Sequence, residues 1–210
     1  MNTKSHVGFW ITLVLALFFF TPVMRDGPSM RQFAASELRM TQETFGHGTG
    51  DWLEKRASVV FRLYTPSKSL DAARIQGEGM KRTERVVPGP GVAITKSYNV
   101  YVQGLILNLF VAALRFFIFG VWFLLLIPVF LAAVIDGFVI RAIKRAEFGA
   151  IRPAAYSVMG MVVIPLAMAP LMYLVIPMPI SPLSSPLWAL LMALPLSAMV
   201  ANMQPIFGRN

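Results

Sequence analysis

Residues 116–135 read FFIFGVWFLLLIPVFLAAVI, a run of 20 without a single charge. About 20 consecutive apolar residues match the hydrocarbon thickness of a bilayer, and no backbone in lipid satisfies itself more simply than a helix. The run is followed by Asp136, Gly137, Arg141, Lys144, Arg145, Glu147 and Arg152, and then by a further long apolar stretch. The pattern predicts a membrane span that ends in a short basic loop, after which the chain turns back.

Other apolar segments repeat this theme. Residues 7–23 form the first (VGFWITLVLALFFFTPV); lacking a small-residue cleavage site after it, the sequence favours an uncleaved anchor over a signal peptide. Residues 156–176 form a third, with Pro165 and Pro170 inside. Proline is tolerated in membrane helices when neighbours repair the lost hydrogen bonds, so a kink is expected here. Residues 187–203 form the fourth. Hydrophobic residues make up 56% of the 210 and charged ones 14%, a balance that fits a polytopic membrane protein better than a soluble domain. The expected fold class is all-α, with four transmembrane helices and a mostly helical extracytoplasmic segment between the first and second.

That segment, 24–99, lies between an N-terminal tail with its anchor (1–23) and a membrane domain (100–210). It carries twelve Lys/Arg and eight Asp/Glu. Pro28 suits a first helical turn, and Phe33, Ala34, Glu37, Leu38 and Thr41 follow at helical spacing up to Gly46. Residues 46–50 (GHGTG) read as a loop. Leu53, Ala57, Val60, Phe61 and Tyr64 then line one face of a second helix, which Pro66 ends. Residues 69–76 suggest a short helical turn, and the Gly/Pro-rich stretch 77–91 a loop back to the membrane. Residues 98–114 are amphipathic, and read either as lying along the interface or as extending the next helix inward.

Orientation follows from short loops. The loop between spans two and three holds four Lys/Arg against one Glu, and the Pro/Ser-rich loop between spans three and four holds none. By the positive-inside rule the former is cytoplasmic, which puts 24–99 outside and both termini inside.

No pattern points to catalysis. His6 and His47 are far apart and in no metal-ligand spacing, no phosphate-binding glycine loop stands in a strand–helix context, and no serine sits in a nucleophile elbow. There is no cysteine. Met159, Met161, Met168 and Met172 invite a copper(I) reading, but packing between helices explains them without a His or Cys to join them. No cofactor or metal is expected. The net charge of +9 is not gathered into a basic, aromatic-laced tract, so direct nucleic-acid binding is not expected either. Arg115 and Asp136 are 21 residues apart, about 31 Å along a helix, and read as the two ends of one span. Arg115 is then an interface anchor with its stem snorkelling, and Asp136, Arg141, Lys144, Arg145 and Arg152 are membrane-interface or partner contacts on the inner side.

Residues 125–145 (LLIPVFLAAVIDGFVIRAIKR), then Ala154, Ala155 and Tyr156, a span ending in Leu174-Val175-Ile176-Pro177, a proline-rich turn and a last apolar span form a recognisable order. This resembles a family of small inner-membrane proteins of unknown function encoded by integrating conjugative elements and conjugative plasmids, over about residues 105–207. The resemblance implies a non-enzymatic accessory of a conjugative type IV secretion apparatus in the bacterial inner membrane. Its implied partners are lipid and other envelope subunits of that complex, including further copies of itself. A small transport or channel subunit, and an exclusion or immunity membrane protein, are the alternative readings.

Overall fold

The structure, a computed structural model, describes residues 3–25, 27–64, 90–147 and 153–203. All regular structure among them is helical: α1 (Thr3–Met24), α2 (Gly27–Tyr64), α3 (Pro90–Ala146), α4 (Pro153–Val175) and α5 (Ser184–Ala201). Four candidate spans lie within α1, α3, α4 and α5, at Val7–Met24, Val100–Ala146, Ala154–Val175 and Ser184–Ala201. The expected turn at 69–76 and the loop at 77–89 fall outside the described residues.

Two expectations are corrected. The basic stretch after residue 135 is not a loop: α3 continues through Asp136, Gly137, Arg141, Lys144 and Arg145 to Ala146. It also begins at Pro90, so Pro90 and Gly91 are helical and residues 98–114 extend the span inward. The candidate span within α3, Val100–Ala146, is 47 residues, about 70 Å of helix, more than twice a bilayer's hydrocarbon thickness. Part of it must therefore be covered by protein.

The second correction concerns α2. Residues 47–50 are helical, and the only break is Gly46, at φ 78° and ψ 162°. That region is accessible essentially to glycine alone. A Cβ built on Gly50 would lie 3.1 Å from the Cα of Gln42. Residues eight apart on a straight helix are about 12 Å apart along its axis, so the chain folds back at Gly46 into a helical hairpin. Gln42 Nε2 donates to Asp51 Oδ1 across the turn at 3.1 Å.

The chain divides into two compact units, Met1–Ile118 with Tyr173–Pro182, and Phe119–Met172 with Leu183–Asn210. In the first, the α2 stripe of Met30, Phe33, Ala34, Glu37 and Thr41 is buried, and its apolar members pack with Leu107, Phe110 and Val111 of α3. α1 runs antiparallel to the start of α3. Phe18 meets Asn108 and Pro22 closes on Gly104, where a Cβ would lie 2.9 Å from the proline Cβ. This explains how 100–114 is apolar without needing lipid: Gly104, Asn108, Val111, Leu114, Arg115 and Ile118 are buried in protein.

In the second unit, Trp188 of α5 packs edge-on against Phe119 and tilted against Phe130, with centroids 5.2 and 5.6 Å away. Lower down, Ala133, Gly137 and Arg141 form a buried stripe on α3 at i, i+4 and i+8. A Cβ at Gly137 would come within 2.7 Å of Ser197 O and of Val200 Cβ, so only glycine allows α5 this close.

Two prolines within the helices, Pro22 and Pro170, are repaired as lipid-buried backbone requires. Pro22 has no N–H for the carbonyl of Phe18, and Asn108 Nδ2 donates to that oxygen at 2.9 Å. Pro170 likewise frees the carbonyl of Leu166, which accepts from Trp188 Nε1 at 2.6 Å. Neither donor lies on the helix it repairs.

Candidate functional site

The most concentrated polar chemistry among the described residues is built around Arg115. α3 delivers it from an apolar run, flanked by Leu114 and Ile118, and α2 delivers Glu37 from the middle of its own apolar stripe. The side chains are 0% and 1% exposed. Arg115 Nη2 donates to Glu37 Oε1 at 2.6 Å and Nε to Oε2 at 3.1 Å, a forked two-point pair.

The α4–α5 connection completes the arrangement. Arg115 Nη1 donates to the carbonyls of Tyr173 and Ile176, each at 2.7 Å, and Nη2 to the carbonyl of Met178. The N–H of Ile180 donates to Glu37 Oε1 at 3.0 Å. A guanidinium has five N–H groups, and five bonds leave it here. Its carbon also lies 5.4 Å from the Phe33 ring centroid and 5.2 Å from that of Tyr173. Arg25 adds a second strap from α1: it donates to the carbonyl of Pro177 and lies 4.7 Å over the Phe33 ring.

Burying two charges is costly unless both are paired and fully hydrogen-bonded. Here every donor of the cation is used, and the carboxylate accepts from both Arg115 and the Ile180 backbone. The arrangement is a clamp that fastens the α4–α5 connection to α2 and α3, with no free donor or acceptor on the cation for a substrate or permeant ion. No group of three or more His, Cys, Asp or Glu able to hold a metal occurs among the described residues.

Arg115 is thus not the snorkelling anchor that the sequence suggests. Its partner Glu37 stands 78 residues away on another helix, out of reach of any pairing along α3. The available signal was a lone acid in an otherwise apolar helical stripe and a lone base in an apolar span, two misfits that satisfy each other.

The remaining residues named from the sequence gather at the end of α3. Asp136 accepts from Ser197 Oγ at 2.6 Å. Lys144 Nζ donates to Asn202 Oδ1 at 2.9 Å, while Asn202 Nδ2 donates to Ala198 O at 2.8 Å. Arg141 is 9% exposed, and its Nε is buried with no hydrogen-bond partner among the described residues. Arg145 is exposed, and Arg152 lies outside the described residues. Asp136, Gly137 and Lys144 therefore hold α5 along its second half.

A family model described as "DtrJ-like: IncC plasmid conjugative DNA transfer protein DtrJ-like" matches residues 71–208, well over half of the chain. That range contains Arg115, the α4–α5 connection and the Asp136–Lys144 contacts, while Glu37 precedes it. No curated protein and no solved structure matches the chain.

Proposed function

The chain belongs to the DtrJ-like family of conjugative DNA transfer proteins, and from that premise we propose that it is a non-enzymatic inner-membrane component of a conjugative type IV secretion apparatus. It acts by contact. Its spans pack with other membrane subunits, and the segment that follows α1 meets envelope components outside. The observation that carries this reading is the saturated Arg115 clamp. The charge most deeply set in the fold is spent on holding its own helices, which favours a scaffold over a channel with Arg115 lining its path.

The contacts also agree with the proposed topology. Arg25, Glu37 and the connection from Pro177 to Ile180 touch one another, so the segment after α1 and the α4–α5 connection share one side of the membrane. The ends of α3 and α5 meet through Lys144 and Asn202, as a shared side for those two ends requires. In the proposed topology the basic residues of the α3 end lie on the cytoplasmic side, as the positive-inside rule favours.

The test is deletion of the gene from a donor and, separately, from a recipient. Loss of transfer from the donor alone, restored by the intact gene, and recovery of secretion subunits with the detergent-solubilised protein support the reading. Unchanged donation, or transfer into recipients that normally refuse it, contradicts it.

A further inference from the structure

We propose that Arg141 and Lys144, at the α3–α5 end of the second unit, form a binding site for the phosphate of an anionic phospholipid headgroup. Arg141 carries the argument. It is more than nine-tenths buried, yet no ion pair or hydrogen bond reaches it among the described residues. A guanidinium cannot shed its charge, and a buried cation without a counter-charge is strongly disfavoured.

Neither neighbouring acid makes an ion pair with Arg141 among the described residues: Asp136 accepts from the Ser197 hydroxyl, and Glu147 is exposed. Lys144, one turn further on, adds a second positive charge, and its single bond goes to the neutral amide of Asn202. An ammonium has three N–H groups, so donors remain on Lys144 as well as on Arg141.

The place selects the ligand. The site lies in the last turns of the candidate span Val100–Ala146, the level at which a membrane helix meets lipid headgroups. On the outer face of the same turns, Phe138, Val139 and Ile143 are about half exposed and apolar, a surface that acyl chains would cover. A phosphodiester with attached acyl chains meets both demands, and basic pockets between membrane helices commonly take such headgroups. This inference rests on membrane location alone. Its failure would leave the conjugative role standing, and failure of that role would leave this site standing.

The experiment measures lipid retained by the full-length protein, in native mass spectra, from mixed phosphatidylglycerol and phosphatidylcholine nanodiscs. The expected result is retention of the anionic lipid about fivefold or more over the zwitterionic one, lost in Arg141→Gln and kept in Arg145→Ala. Absence of that preference in the unmodified protein overturns the proposal whether or not the variants fold. Equal loss in Arg145→Ala also overturns it, since a diffuse basic surface then suffices. Millimolar inorganic phosphate that binds without retained lipid reassigns the site to a free anion. Cross-linking of Lys144 to an acidic protein partner in place of lipid reassigns it to a protein carboxylate. Either reassignment overturns the lipid claim.

Discussion

Arg115 and Glu37, 78 residues apart in sequence, form a forked ion pair with neither side chain reaching the surface. Around it converge one carbonyl from the last turn of α4 and two carbonyls and one N–H of the α4–α5 connection. The pair fixes a connection that contains three prolines and has little regular structure of its own.

Removing one partner should be costly and removing both less so. Arg115→Ala or Glu37→Ala leaves a buried charge uncompensated, and each is expected to destabilise by about 3–5 kcal/mol. The double variant Glu37→Leu/Arg115→Met should recover part of that loss. Exchanging the two charges should not, because a carboxylate at position 115 would face three carbonyls that can only accept. Denaturant unfolding in detergent, read by helical content, gives all four values.

The hairpin in α2 predicts a contrast between two glycines of the same GHGTG stretch. Gly46→Ala forces a side chain into a glycine-only region, at about 1–3 kcal/mol. Gly48 is helical with open space around a Cβ, so Gly48→Ala should be neutral or stabilising by up to about 1 kcal/mol. Thermal midpoints of the two variants, compared with the parent, separate these cases.

Trp188 and Asn108 should matter through the prolines they serve. Trp188→Phe keeps most of the ring packing and loses the bond to the Leu166 carbonyl, an expected cost of about 0.5–2 kcal/mol. In a Pro170→Ala background the helix supplies its own N–H, and the same substitution should cost measurably less. Asn108→Leu with Pro22→Ala makes the parallel cycle for α1. Additive energies in both cycles would show that the carbonyls do not need these donors.

Gly137→Ala should push α5 away from α3. The added Cβ meets backbone and a branched side chain, neither of which can swing aside, so a loss of about 1–3 kcal/mol is expected. The shift should show as weaker cross-linking between cysteines introduced on the facing turns, and the cysteine-free chain gives that assay no background.

Charge-free length made the four membrane helices legible in the sequence, because a 20-residue apolar run has few other uses. Helical spacing made Phe33, Ala34, Glu37 and Thr41 legible as one stripe, while Met30, buried on the same face, lies outside that reading. What resisted was anything decided by a neighbour distant in sequence. The basic residues after Ile135 resemble a loop in composition, yet they stay helical because Gly137 and Lys144 meet α5. The GHGTG stretch has four residues that a helix accepts once Gly46 has made the turn. Along its own helix the nearest acid beyond Arg115 is Asp136, and the acid it pairs with stands on α2.

The most direct test of the clamp as structure, within the proposed role, sets transfer frequency in donor cells against the amount of folded protein in the membrane. The variants are Arg115→Lys, Arg115→Ala and Glu37→Ala. Lysine keeps the charge but lacks the planar fork, so it cannot reproduce five directed bonds. The account predicts that all three fall on one curve, with transfer declining only as folded protein declines. An Arg115→Lys or Arg115→Ala protein that is folded at parental abundance and transfers no DNA would contradict it.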